Sequence, residues 1–222
     1  MESSPKDHIA SQLREHIATG VLPLGAALSD KALAEQLHIS RTPVREALLQ
    51  LRSEGLVVMR PQSGTYVFDP EPHEVEEICQ LRSILETGAL QVVSKKELPE
   101  LVRALKANLV EAAACLKAKD YVRCDGLDAA FHETIVGLCG NDLLAQTYRR
   151  ISNKVRALRN RMPRSHERFA HALTHHREIA RLLDHGQVAR AIAELSAHVN
   201  NVQRLLLPSA AAAESTPGSS AR

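Results

Sequence analysis

The chain has 222 residues, of which 44% are hydrophobic and 24% are charged, a composition typical of a folded soluble protein and not of a disordered one. Aromatic residues make up only 3%, which together with abundant Leu and Ala favours helices over sheets. No apolar run approaches the ~18 residues of a membrane span, and the polar start MESSPKDH excludes a secretory signal, so we expect a cytoplasmic protein.

The four cysteines lie at positions 79, 115, 124 and 139 and show no CxxC spacing, which argues against a zinc ribbon. A chain of this length with a large core hardly needs disulfides, so we expect unpaired thiols in a reducing compartment. The formal net charge is +2 and residues 1–68 carry equal numbers of acidic and basic groups. Any affinity for DNA must therefore come from the placement of a few cations and not from bulk charge.

Two changes in composition divide the chain. Prolines at positions 70 and 72 stiffen it, and from Pro208 onwards it is small and polar. We therefore expect a first domain over residues 1–69, a linker over 70–72, a second domain over 73–207 and a disordered tail over 208–222.

The first domain shows the element order of a winged helix-turn-helix. An apolar helical stripe ends near Gly20, Ser29 precedes a short helix, and Ser40 precedes a longer one that Gly55 ends. Two β-prone runs then follow, over residues 56–59 and 65–68, and the turn between them predicts a hairpin. This order indicates a three-helix unit with a β wing.

The second domain reads as helix throughout, with breaks at prolines and glycines. Its periodic apolar segments run roughly over residues 73–92, 97–117, 120–139, 141–162, 166–185 and 187–207. The predicted fold class is therefore mainly α, an N-terminal winged helix-turn-helix followed by an all-helical bundle of six to seven helices.

The longer helix of the first domain carries a candidate DNA-reading stripe. Arg41, Arg45 and Arg52 fall on one side of it, and Ser40 and Thr42 place hydroxyls at its N-terminus. Arginine reads a guanine edge bidentately, and a helix N-terminus favours phosphate. Simple solvation of an exposed face would produce the same stripe.

Two further positions support the DNA-binding interpretation. Lys31, near the start of the short helix, is placed to contact phosphate, and Gly64 at the hairpin tip lets the backbone approach a groove closely.

The stretch LSDKALAEQLHISRTPVREALLQLRSEGLVVMRPQSGTYV resembles the DNA-binding domain of the GntR family of bacterial transcription regulators. The run SRTPVREAL, followed by L-x-x-EGLV and a wing with glycine, carries the resemblance. The resemblance implies that Arg41, Thr42 and Arg45 contact bases or phosphates. It also implies supporting contacts from Lys31, Ser40 and Gly64. One departure is the turn Pro-Leu-Gly at 23–25, where the family usually has Pro-Gly.

The second domain places several histidines on apolar helix faces. Asp128 and His132 are four residues apart on one inward stripe, and His176 and His198 lie on the inward stripes of two other helices. A shared metal ion would satisfy these buried polar groups together, although each histidine alone is more often a hydrogen-bonded core residue.

Histidine spacing alone leaves an alternative open. His171 and His175 also lie four residues apart, and by periodicity His175 faces inward as well as His176 does.

The second domain resembles the FCD effector domain of the FadR subfamily. The matching pieces are Leu81-Arg82 with Glu86, Asp128-x3-His132 followed by Asn141, His176-x2-Ile179, and His198. The resemblance implies that a divalent metal is held by one aspartate and three histidines and presents open positions to a small organic acid effector. Its implied ligands are Asp128, His132, His176 and His198. The metal could be Zn, Ni, Mn or Fe, and Gln187 departs from a common aspartate.

Arg82 lies on the inward face of the first bundle helix and needs an anionic partner. That partner is either Glu86 or the carboxylate of an effector, and the second possibility makes Arg82 a candidate effector-binding residue. A basic run between residues 149 and 168 is interpreted as a solvated helix face.

These observations lead to one main hypothesis and two alternatives. The main one is a homodimeric transcription regulator, a repressor, that binds a pseudo-palindromic operator in double-stranded DNA and responds to metal and a small organic acid. A sensor of the metal itself is the first alternative. A metal-dependent enzyme is the second, but the chain lacks HExxH, GxSxG and a Gly-rich phosphate loop, so we expect no catalytic residues.

Overall fold

A computed structural model describes residues 4–207. The tail expected over 208–222 lies outside the described residues. The N-terminal elements, in chain order, are α1 (Pro5–Thr19), β1 (Ala27–Leu28), α2 (Asp30–Gln36), α3 (Arg41–Ser53), β2 (Val57–Arg60) and β3 (Gly64–Val67). They form the winged helix-turn-helix that the sequence predicts.

Helix α3 forms where the local signals agree. Ser40 holds the N-cap position with extended backbone, and Pro43 stands in the first turn, where its missing N–H removes no hydrogen bond. Gly55 follows the helix at φ +70°, a backbone conformation that glycine adopts without strain. The buried face of α3 consists of Val44, Ala47, Leu48 and Leu51. Burial of this face against α1 and the sheet fixes the orientation of the opposite, exposed face.

The wing contains one more strand than the predicted hairpin. Strands β2 and β3 pair antiparallel from Val57↔Val67 to Arg60↔Gly64, and β1 adds to the free edge of β3 through Ala27↔Tyr66 and its neighbour. A strand of two residues shows no alternation of polar and apolar side chains, so periodicity could not reveal it.

The C-terminal part is a bundle of six helices, α4 (Pro72–Val92), α5 (Leu98–Ala118), α6 (Tyr121–Gly137), α7 (Asp142–Arg159), α8 (His166–Asp184) and α9 (Val188–Leu206). Each coincides with one predicted periodic segment to within a few residues, and the mainly α fold class is confirmed. Leucine, isoleucine and valine side chains from these helices form one large core. No helix within residues 4–207 combines the length and the apolar character that crossing a bilayer requires.

The expectation of unpaired thiols is wrong for two of the four cysteines. Cys115 and Cys124 form a disulfide, with their Cα atoms 5.9 Å apart, whereas Cys79 and Cys139 are free and buried. The first cysteine lies near the end of α5 and the second near the start of α6, so the reversal of the chain between these helices brings them together. A search for CxxC spacing does not find such a pair.

Helix α7 joins the bundle to the DNA-binding part. Ala157 is buried in the core of the N-terminal domain. Arg156 donates two hydrogen bonds of 2.9 and 2.8 Å to the carboxylate of Glu15 on α1, and the Asn160 amide donates to the Ala18 carbonyl at 2.8 Å. The end of α7 is therefore shared by both domains.

Candidate DNA interface and candidate metal centre

The exposed N-terminus of α3 carries the residues that the sequence singles out for DNA. Ser40, Arg41, Thr42 and Arg45 are all exposed. The Ser40 hydroxyl makes no capping hydrogen bond, so it is available to a phosphate oxygen. Hydroxyls and guanidinium groups thus share one surface with the positive end of a helix dipole.

A carboxylate that the sequence analysis did not single out holds two of these arginines. One terminal nitrogen of Arg41 donates to both oxygens of Asp30 at 2.9 Å, and Arg45 Nε lies 3.2 Å from the same carboxylate. The hydrogen bond from Arg41 lowers the pKa of Asp30. Because Asp30 is the first residue of α2, the turn between the two helices brings it opposite the start of α3.

The two supporting residues lie on neighbouring surfaces. Lys31 is exposed, and its Nζ is 3.9 Å from Glu35. Gly64 lies at the wing tip with φ +124°, directly after a turn in which Gln62 has φ +60°. A side chain at this φ would be strained, so glycine gives the wing its shape.

The DNA-reading role predicted for Arg45 implies that Arg45→Ala weakens specific binding to duplex DNA by about 1–3 kcal/mol, which is the contribution of one bidentate contact to a base edge. The side chain is 70% exposed, so the fold should not change. Arg103→Ala, which removes an equally exposed arginine from α5, is the matched control, and a mobility-shift titration at fixed salt measures both. Equal affinities for the two variants would remove Arg45 from the interface.

The bundle brings four buried side chains to one point. Helix α6 provides two of them, α8 one and α9 one; together we call them the Asp-His cluster, which consists of Asp128, His132, His176 and His198. One ligand atom from each lies within 4.8 Å of the others. His176 Nε2 lies 3.3 Å from His132 Nε2 and 3.2 Å from His198 Nε2. Nitrogens that share a tetrahedral metal ion at about 2.0–2.1 Å lie about 3.4 Å apart, so this spacing fits one ion.

Glu86 fixes the orientation of His132. The Glu86 carboxylate lies 2.8 Å from His132 Nδ1 and accepts hydrogen bonds of 2.7 Å from Arg82 Nε and from the Tyr148 hydroxyl. With Nδ1–H directed at a carboxylate, the lone pair of the ring is on Nε2, which faces the cluster. Such a carboxylate partner is the usual companion of a metal-bound histidine.

Burial sets the charge of these groups. It lowers the pKa of His132, and it lowers the pKa values of His176 and His198 well below the usual range, so the imidazoles are neutral and able to bind a metal. Burial alone would raise the pKa of Glu86, but the charge of the adjacent Arg82 and the hydrogen bond at His132 Nδ1 outweigh it and hold that pKa far below its usual value. Glu86 is therefore a carboxylate anion.

Asp128 and Arg159 form a contact that leaves buried atoms without partners. The Arg159 guanidinium contacts Asp128 Oδ2, whereas within residues 4–207 Asp128 Oδ1 and Arg159 Nε make no hydrogen bond. Burial and the positive charges of Arg82 and Arg168 lower the pKa of Arg159 to about 9. Orphaned atoms of this kind are expected where a metal ion and an anion belong, so the donor set fits a divalent metal.

A cavity of about 400 Å³ opens beside the cluster. Asp128 and His198 of the cluster line it, Arg159 and Arg168 supply positive charge, and Phe169 provides apolar surface. The sequence predicts that Arg159 belongs to a solvated basic run, but the side chain is buried. Arg159 belongs to the cavity because the packing of the bundle brings it against Asp128, a contact between helices that the sequence does not show.

Arg82 does not line this cavity. Its side chain is 2% exposed and its Nε donates to Glu86, so the structure supplies the first of the two partners that the sequence leaves open.

The structure also separates the two candidate histidines of α8. The His176 ring stacks on Phe131, with 3.9 Å between ring centroids, and belongs to the cluster. The His175 ring lies outside the cluster, with its Nδ1 against Glu194 and its Nε2 3.3 Å from His171 Nε2.

Comparison with protein families identifies both parts of the chain. Residues 5–67 match the model for bacterial regulatory proteins of the gntR family, and residues 77–201 match the FCD domain.

Full-length relatives agree with this assignment. A transcriptional regulator of the helix-turn-helix type from Streptomyces ambofaciens, named for an unstable DNA locus, is 33% identical over 198 residues, which is 86% of this chain and 80% of the relative. The gluconate operon transcriptional repressor of Bacillus subtilis (strain 168) is 26% identical over 200 residues, which is 88% of this chain and 82% of the repressor.

Solved structures share the fold. A GntR transcriptional regulator from Rhodococcus sp. RHA1 aligns with a TM-score of 0.78 and 22% identity, covering 92% of this chain and 98% of that one. E. coli McbR/YncC aligns with a TM-score of 0.75 at the same identity and coverage. The chain thus belongs to the gntR family of bacterial regulatory proteins, with an FCD domain after its DNA-binding domain, and is a transcription regulator and not an enzyme.

Proposed function

We propose that the protein is a cytoplasmic, homodimeric repressor whose operator affinity is controlled by a small organic acid bound beside a divalent metal ion. The observation that carries this proposal is the Asp-His cluster beside a cavity, because Asp128 and His198 of the cluster line that cavity together with the buried Arg159. Neither a DNA-reading domain nor a helical core alone requires such a site.

The four members of the Asp-His cluster would hold the ion. A ligand set of three imidazoles and one carboxylate suits Zn, Ni, Mn or Fe, and metal availability decides among them. A bound ion would supply open coordination positions to an oxygen ligand that enters from the cavity.

Arg159 is the residue that we assign to the effector carboxylate. Its guanidinium lines the cavity, and it now contacts Asp128, which the metal would take as a ligand. Once Asp128 binds an ion, Arg159 needs another anion, and a carboxylate matches its planar fork. Arg82 then acts indirectly, because it holds the Glu86 that orients His132.

Helix α7 provides the physical link between the two domains. Arg159 lies in the cavity, while Arg156 and Asn160, on the same helical end, bind α1 of the DNA-binding domain. A shift of this end on effector binding would move α1 and thus α3. A coupling of 1–3 kcal/mol, typical of allosteric proteins, would change operator affinity by about 5- to 150-fold.

A second copy of the chain would cover an apolar stripe on α4. Leu81, Ile84 and Val92 are exposed there, the second of them by 66%, and Leu143 is exposed by 73% on the neighbouring helix α7. Exposed apolar side chains arranged in a stripe mark an interface. A twofold dimer would present two copies of α3 and two wings to a pseudo-palindromic operator. In each copy, Arg41, Thr42 and Arg45 are the residues that we propose to contact bases or phosphates. Lys31, Ser40 and Gly64 are the residues that we propose as supporting contacts.

The test is a mobility-shift titration on the DNA upstream of the protein's own gene, with a panel of small organic acids, each with and without chelator. Gluconate belongs in the panel because a relative is named for a gluconate operon. We expect one acid to change operator affinity, and only in the presence of metal. A response to that acid after complete chelation would contradict the proposed effector site, and absence of any preference for a duplex would contradict the regulator itself.

The alternative of a pure metal sensor is tested by the same titration. Operator binding that follows free metal in the absence of every organic acid would favour the sensor. Arg159 beside the cluster favours the organic acid, because a site for a metal alone does not need a buried cation at its edge.

A further inference from the structure

A second pair of histidines lies just outside the Asp-His cluster. His171 and His175 are one helical turn apart on α8, and their Nε2 atoms are 3.3 Å apart. This distance equals the separation of the His132 and His176 Nε2 atoms within the cluster. It is also close to the ~3.4 Å between two imidazole nitrogens on a tetrahedral ion.

A carboxylate orients His175 as Glu86 orients His132. Glu194, on α9, contacts His175 Nδ1. A ring whose Nδ1–H points at a carboxylate presents the lone pair of Nε2, and a carboxylate behind the ring also strengthens its binding to a metal. His175 Nε2 therefore faces His171 in a form that binds cations.

The pair is separate from the buried cluster but adjacent to it. The centroid of the His175 ring lies 5.5 Å from that of His198. The atom that faces His175 Nε2 is the Nε2 of His171, which is not a member of the cluster. His171 is exposed and lines the cavity. An ion held by the pair would reach solvent, which completes its coordination with water or with an oxygen of a molecule in the cavity.

We infer that His171 and His175, the latter oriented by Glu194, form a second site for a divalent transition metal at the rim of the cavity. Two imidazoles with open positions select late transition metals such as Cu²⁺, Ni²⁺ and Zn²⁺ over Mg²⁺ and Ca²⁺. With two protein ligands in place of four, this site binds its ion more weakly than the cluster does. The inference goes beyond the proposed function, which uses only the buried ion.

Equilibrium dialysis of untagged protein against buffered Zn²⁺ tests it. The wild-type chain should take up one ion at low free Zn²⁺ and a second at higher free Zn²⁺. His171→Ala should lose only the second ion. Glu194→Gln should lower the affinity for that ion by about 10- to 100-fold, as the loss of a carboxylate partner behind a metal-bound histidine does. His185→Ala, which changes an exposed histidine whose Nδ1 is paired with the Arg181 carbonyl, should retain both ions.

A single uptake step in the wild-type protein, or a second step that survives His171→Ala, would overturn the inference. The His132→Ala variant distinguishes this failure from a failure of the proposed function. It should lose the first ion and retain the second. If the first ion also survives His132→Ala, the buried site is wrong and the rim site stands.

Discussion

Replacement of Glu86 by Ala should lower the free energy of unfolding by about 3–5 kcal/mol, because it leaves a buried guanidinium without its counter-charge. Glu86 is fully buried, Arg82 is 2% exposed, and the same carboxylate also receives the Tyr148 hydroxyl. Urea denaturation measures this loss: chelator removes any contribution from metal, and a fixed protein concentration keeps the contribution of dimerisation the same for every variant.

Two variants make the measurement specific. Glu86→Gln keeps a carbonyl oxygen for Arg82 and Tyr148 but removes the charge, so its loss should be smaller than that of Glu86→Ala. Glu100→Ala removes an exposed carboxylate from α5 and should change stability by no more than about 0.5 kcal/mol. An unfolding midpoint of Glu86→Ala that matches Glu100→Ala would show that Arg82 does not depend on this carboxylate.

Local signals were sufficient to predict the helices of this protein. Helix α3 is bounded by Ser40 and Gly55, and its buried face repeats at helical spacing, so its position follows from nearby residues alone. The same holds for the six bundle helices. The inward positions of Asp128, His132 and His198 also follow from helical periodicity, because an apolar stripe shows which side of a helix is buried.

Contacts between elements could not be predicted in this way. Asp30 holds Arg41 only because α2 packs against α3, and Arg159 reaches Asp128 only because α6 packs against α7. Local signals also could not decide between His175 and His176. The two residues differ by one residue of helical rotation, and the apolar stripe is wider than that rotation, although one side chain enters the cluster and the other lies at the rim. The disulfide also depends on a chain reversal.

Replacement of His176 by Ala should abolish tight binding of the metal ion proposed for the Asp-His cluster, whereas His175→Ala should preserve it. His176 Nε2 lies within 3.3 Å of the Nε2 atoms of both His132 and His198, so it is the central nitrogen of the site. Loss of a carboxylate behind a ligand already weakens metal binding by about 10- to 100-fold. Loss of the central ligand itself should lower the metal affinity by more than this factor.

The measurement is the metal content after dialysis at low free Zn²⁺, together with thermal unfolding at increasing free metal. A ligand at 100 times its Kd stabilises a folded protein by about 2.7 kcal/mol, and we expect this stabilisation for the wild-type protein and His175→Ala but not for His176→Ala. His176→Ala also removes the ring that stacks on Phe131, so Asp128→Asn, which loses the anionic ligand with little change of shape, serves as a second variant. The opposite result, in which His175→Ala loses the buried ion and His176→Ala keeps it, would contradict the orientation of α8 in the structure. The helix would then be rotated by one residue, with His175 in the buried site and His176 at the rim.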